Sequence, residues 1–175
     1  MSQFAVIAVG RDRPGIAAAI AAGLLEVDGN IEDSRMTNLG GHFAVMLLVS
    51  TPSADREAVA AVLAPIRADL GLEALTVAPV ADAAAAAAPD HVITVYGADH
   101  PGIVHAVTSG LAADGVNVAD LQTRIGGAAG DPIYMMVLEV ELGDCDAGAV
   151  GDKLREIAGA NEVEIDLRPL EAEAL

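Results

Sequence analysis

Shifting the chain against itself by 87 residues, half of its 175, superposes ten identities between Gly10 and Asp33 without a gap. This duplication constrains the fold more than any other feature. Gly10, Asp12, Pro14, Gly15, Ile16, Ala19, Gly23, Leu24, Asn30 and Asp33 fall on Gly97, Asp99, Pro101, Gly102, Ile103, Ala106, Gly110, Leu111, Asn117 and Asp120. Later apolar runs, Phe43 to Val49 and Ile133 to Val140, align only if the second copy carries about three extra residues, most simply in a hairpin loop. Two similar modules are expected: residues 1–80 and 90–175, joined by an alanine-rich linker over 81–89.

The same order of elements is legible in each copy. Phe4 to Val9 and Val92 to Tyr96 are short, β-branched, apolar runs that suit buried strands. Asp-x-Pro-Gly follows in both, with proline where the first turn of a helix tolerates a missing N–H. Ile16, Ile20, Leu24 and Val27, and then Ile103, Val107 and Leu111, recur at helical spacing and mark one apolar face. Gly23 and Gly110 sit on these helices at a cost of about 1 kcal/mol relative to alanine, which close approach of helix to sheet would explain.

The helices should stop near Gly29 and Gly115. Second strands then run over Ile31 to Thr37 and Val118 to Ile125, turned by Gly40-Gly41 and by Gly126 to Gly130 into the third. A second helix is signalled by Ser53 as N-cap with Val59, Val62, Leu63, Ile66 and Leu70 as its stripe, and Pro65 should kink it. Its counterpart is capped by Asp146 and carries Val150, Leu154 and Ile157. Leu75 to Val80 and Val163 to Leu167 close each copy. The fold class is therefore α+β, with a ferredoxin-like βαββαβ plan used twice.

Charge and composition narrow the function. With 26 acidic against 9 basic side chains and a net charge of −17, the chain repels a phosphate backbone, so direct nucleic-acid binding is not expected. Two phenylalanines, two tyrosines and no tryptophan leave little for base stacking. Cys145 is the only cysteine, which excludes an internal disulfide and a cysteine-built metal site. No apolar run approaches the roughly 20 residues that cross a bilayer, and Met1 to Phe4 lacks a basic leader, so the cytoplasm is the expected compartment and no membrane partner is expected. Motifs for hydrolysis or group transfer are missing, so no catalytic residue, metal or cofactor is expected.

The informative residues are Asp12, Gly15 and Asn30, repeated as Asp99, Gly102 and Asn117. The N–H groups of Gly15 and Ile16, and of Gly102 and Ile103, lie at a helix start and suit a carboxylate. An aspartate can pair with an ammonium, and an asparagine amide both donates and accepts. The set suits a zwitterion. The helix between Gly15 and Asn30 separates them, so one small ligand could touch both types of residue only where two domains face each other. Local duties explain the same residues equally well: Asp12 as a helix cap, Gly15 relieving crowding, Asn30 taking a left-handed turn.

Gly10-Arg11-Asp12-Arg13-Pro14-Gly15-Ile16 with Asn30-Ile31, and Gly97-Ala98-Asp99-His100-Pro101-Gly102-Ile103 with Asn117-Val118, resemble the ACT-domain family of amino-acid-binding regulatory modules. More narrowly, Asn30 to Arg35 with Leu39 to Phe43, and Asp120 to Arg124 with Asp131 to Met136, resemble the glycine cleavage system transcriptional repressor family. That family consists of tandem ACT domains without a DNA-reading domain. The resemblance implies a non-enzymatic regulator that binds a small amino acid, glycine or serine, and acts on transcription through a protein partner such as a transcription factor. It also implies effector contacts at Asp12, Gly15, Ile16, Asn30, Asp99, Gly102, Ile103 and Asn117, and homo-oligomers formed by side-by-side docking. An effector-free interaction module and a regulatory fragment of an amino-acid metabolic enzyme are the competing readings.

Overall fold

The computed structural model describes residues 1–80, 88–128 and 131–170. The chain divides into two compact units, Met1–Ala84 and Ala85–Leu175. Residues 81–87 of the expected linker lie outside the described residues, as do Ala129 and Gly130 of the expected glycine-rich turn.

Unit 1 runs β1 (Ser2–Arg11), α1 (Ile16–Leu25), β2 (Asn30–Leu39), β3 (His42–Thr51), α2 (Arg56–Leu70) and β4 (Ala74–Pro79). Unit 2 repeats the order as β5 (His91–Ala98), α3 (Ile103–Ala113), β6 (Asn117–Ala128), β7 (Asp131–Glu141), α4 (Ala147–Ala160) and β8 (Val163–Pro169). Each sheet is antiparallel throughout, in the orders β2-β3-β1-β4 and β6-β7-β5-β8. The expected ferredoxin-like βαββαβ units are present in tandem.

Alternation along the strands builds each core. Phe4, Val6 and Ala8 of β1 and Val45, Leu47 and Val49 of β3 meet Ile16, Ile20 and Leu24 of α1 and Val59 and Leu63 of α2. In unit 2, Ile93, Val95, Met136, Leu138 and Val140 meet Ile103, Val107, Leu111, Val150 and Leu154. Apart from Ala8, each of these side chains stabilises its unit by about 1.5–3 kcal/mol on burial.

Several expectations change in detail. The second copy's insertion is four residues rather than about three. Gly10 pairs with Phe43 and its counterpart Gly97 with Tyr134, so the offset grows from 87 to 91 across the hairpin. Those four residues lengthen the β6–β7 ladder by two pairs, Gly127 with Pro132 and Ala128 with Asp131. Helix α1 ends at Leu25, four residues short of Gly29, and Val27 packs against the core from beyond its end.

Ser53 does not cap α2. Asp55 does, its side chain accepting from the Ala58 N–H at 2.8 Å, while Thr51 shapes the approach through the Ala54 N–H at 2.9 Å. Nor do Gly23 and Gly110 answer to the sheet. A Cβ on Gly23 would lie 2.6 Å from Ile66 Cδ1, and one on Gly110 2.5 Å from Ile157 Cδ1. The crowding comes from the neighbouring helix, α2 or α4, because the two helices of each unit share one face of its sheet and cross where these glycines sit.

Candidate functional site

Among the described residues, two of the four helices begin differently from the others. Helices α2 and α4 are capped by Asp55 and Asp146, each accepting a backbone N–H at 2.8 Å. Helices α1 and α3 start instead at Gly15 and Gly102, which carry no side-chain cap and take φ of 98° and 107°. That left-handed backbone favours glycine, and no atom would touch a Cβ there, so conformation rather than crowding requires the residue.

The first helical bonds run from Ala19 to Gly15 and from Ala106 to Gly102, both 2.9 Å. The N–H groups of Ile16, Ala17 and Ala18, and of Ile103, Val104 and His105, therefore lie outside the helical ladders. Ile16 and Ile103 bury their side chains in the cores and offer only their backbone N–H. Each junction presents several donors at the positive end of a helix, which suits an anionic group.

Asp12 is not the helix cap. Its Oδ2 accepts from Asn38 Nδ2 at 2.6 Å, its N–H donates to Gly41 O at 2.9 Å, and Asn38 Oδ1 accepts from the Gly41 N–H at 3.1 Å. Asn38 thus ties the loop before α1 to the β2–β3 turn. Sequence reasoning missed it, although an asparagine just before Gly40-Gly41 is a signal for such a turn. At the matching place beside Asp99 the second copy has Ile125, so the two junctions are not equivalent.

Asn30 and Asn117 open the edge strands β2 and β6, and both are exposed. The left-handed turn once open to Asn30 is made two residues earlier, by Asp28 at φ 51°, and by Gly115 at φ 79° in the second copy. A bulge follows each asparagine, between Ile31 and Asp33 and between Val118 and Asp120. It lets Ile31 and Met36 share the helix-facing side of the sheet, opposite Val49 and Val45, and puts Asn30 on the other.

Each unit separates its two groups of site residues. Asp12 bonds Asn38, and Asn30 stands eight residues before Asn38 on one strand, about 26 Å away at the usual rise. Asp12, Gly15 and Ile16, and likewise Asp99, Gly102 and Ile103, follow one another closely along the loop that leads into a helix, while Asn30 and Asn117 lie at the opposite ends of their sheets.

The ACT domain family model matches residues 2–76 and 90–168. The chain belongs to the ACT domain family. Its fold is similar to that of an unknown protein from Galdieria sulphuraria, with a TM-score of 0.82 and 28% identity over 97% of this chain and 99% of that one. A crystal structure provisionally assigned as a glycine cleavage system transcriptional repressor shares the fold with a TM-score of 0.76 at 18% identity, over 97% of this chain and 98% of that one. A UPF0237 protein of Methanopyrus kandleri is 44% identical over 55 residues, 31% of this chain and 61% of that relative. Among the described residues of the ACT units, no helix is long and apolar enough to cross a membrane.

Proposed function

We propose that this tandem ACT protein is a non-catalytic regulator that binds a small amino acid, glycine or serine, and acts on transcription through a protein partner. The observation that carries the reading is the pair of uncapped, glycine-started helices, α1 and α3, in a chain whose other two helices carry aspartate caps. Each exposes backbone donors beside an aspartate, the complement of a carboxylate and an ammonium on one small molecule. ACT domains as a family bind amino acids and form oligomers, and the acidic chain suits contact with protein rather than nucleic acid. The 18%-identical neighbour assigned to transcriptional repression agrees with this reading.

An effector touching both a helix start and an asparagine draws them from two ACT modules, since one module holds them far apart. Isothermal calorimetry with glycine, serine and a panel of other amino acids is expected to show saturable heat that is lost in the Asn30→Ala, Asn117→Ala protein. Absence of saturable binding across the panel overturns the effector reading. The effector-free interaction module is favoured by a different observation: β2 is an edge strand whose ten residues are all exposed. It becomes the better reading if the ligand-free protein engages its partner with undiminished affinity.

A further inference from the structure

His100 stands between Asp99 and Pro101 in the loop before α3, and both of its ring nitrogens face carbonyl oxygens. Nε2 lies 2.7 Å from Asn161 O and Nδ1 lies 3.1 Å from Pro101 O. A carbonyl oxygen only accepts, and a neutral imidazole carries one N–H. One of the two contacts would oppose lone pairs unless the ring holds both protons. Only the imidazolium makes both bonds at once.

The anchor on the far side is well held. Asn161 ends α4, its Nδ2 donating to Ile157 O at 2.8 Å and its backbone N–H reaching Ile157 O and Ala158 O at 3.1 and 3.3 Å. Its carbonyl lies at the negative end of that helix, where a cation is favoured. The charged groups facing the ring are Glu162, next to the acceptor in the α4–β8 turn, and Asp99, its neighbour in the loop; both favour the protonated form. Tyr134 of β7 faces Asp99 and is neutral, its titration pushed upward by burial.

We propose that His100 is a proton-operated latch. Protonated, it ties the Asp99–Gly102 loop, and with it the open start of α3, to the turn between α4 and β8 through both ring nitrogens at once; deprotonated, it keeps a single N–H and gives up one of the two bonds, which loosens the tie. In unit 1 the matching residue is Arg13, which makes no hydrogen bond or ion pair among the described residues. The first junction therefore lacks this device. Any consequence for effector binding rests on the function proposed above, whereas the latch itself does not.

The bond to the Asn161 carbonyl, then that to Pro101, raises the pKa of His100 above its ordinary value, against a smaller opposing effect of desolvation. A raised folded value means that the added stabilisation of unit 2 by the protonated ring is fully present below the unfolded pKa of about 6.5 and is lost as pH rises through the folded one.

The test follows the His100 ring nitrogens of the full chain by NMR across about pH 5.5 to 9, assigning them by their loss in His100→Gln. The expected midpoint is shifted upward from about 6.5, with both nitrogens protonated below it. The denaturant midpoint of the native chain should exceed that of His100→Gln at low pH, by a margin that shrinks as pH rises. A ring midpoint at or below about 6.5, or a margin constant with pH, overturns the latch. Should the variant fail to fold, assignment through the ring's own bonded neighbours lets the native titration decide alone. A raised midpoint in a protein that binds no amino acid upholds the latch and overturns the effector reading, so the two fail separately.

Discussion

Gly110→Ala adds one methyl group between α3 and α4, and its effect can be worked out atom by atom. The new Cβ would lie 2.5 Å from Ile157 Cδ1, with the next nearest atoms, Ile157 Cγ1 and Lys153 Cε, at 3.9 and 4.0 Å. Alanine favours the helix by about 1 kcal/mol, while forcing a methyl into an occupied space costs about 1–3 kcal/mol. Ile157 Cδ1 is the far end of a flexible side chain and the next atom is 3.9 Å away, so the cost falls at the low end of that range and nearly offsets the helical gain, leaving unit 2 within about 1 kcal/mol of its native stability.

Ile157→Val removes the one offending atom at a cost of about 0.5–1.5 kcal/mol, near the low end because this side chain is only partly buried. In the double variant the clash is gone and the helical preference of alanine remains. The two changes should then be less destabilising together than their sum by about 1 kcal/mol. Urea denaturation followed by circular dichroism, with the cycle read at constant m, measures this coupling. Additivity within about 0.5 kcal/mol would refute the helix–helix account of Gly110. The same rescue should be weaker for Gly23→Ala with Ile66→Val, because the new Cβ would still meet Leu63 Cδ2 and the Val62 backbone oxygen at 3.3 Å.

Asp55→Ala and Asp146→Ala each remove a cap bonded at 2.8 Å and should lower stability by about 1 kcal/mol, measurable as a fall in denaturant midpoint. Asp28→Gly should stabilise unit 1 by roughly 0.5 kcal/mol, since Asp28 sits at φ 51° where the second copy already uses glycine, and a thermal melt checks the sign. Gly15→Ala should cost about 1–2 kcal/mol through its φ of 98° although the added methyl meets nothing; a neutral result would show that the loop adopts another backbone path.

The sequence by itself determined the duplication, the order of strands and helices, and the residues of each core. These follow from the spacing of Ile16, Ile20 and Leu24, the alternation of Phe4, Val6 and Ala8, and the repeated Asp-x-Pro-Gly, all properties of neighbours along the chain. It also marked Gly15 and Gly102 correctly as helix starts, since proline before glycine ahead of an apolar stripe leaves little else. Only the tertiary structure decided what those residues touch. That Asn38 holds Asp12, that Gly23 and Gly110 answer to a second helix, and that His100 bonds Asn161 each depend on elements 26 to 61 residues apart meeting in space. Local spacing carries no term for such meetings. Likewise Asn30 stands far from Asp12 because Asp12 bonds Asn38, eight residues or about 26 Å along β2 from Asn30.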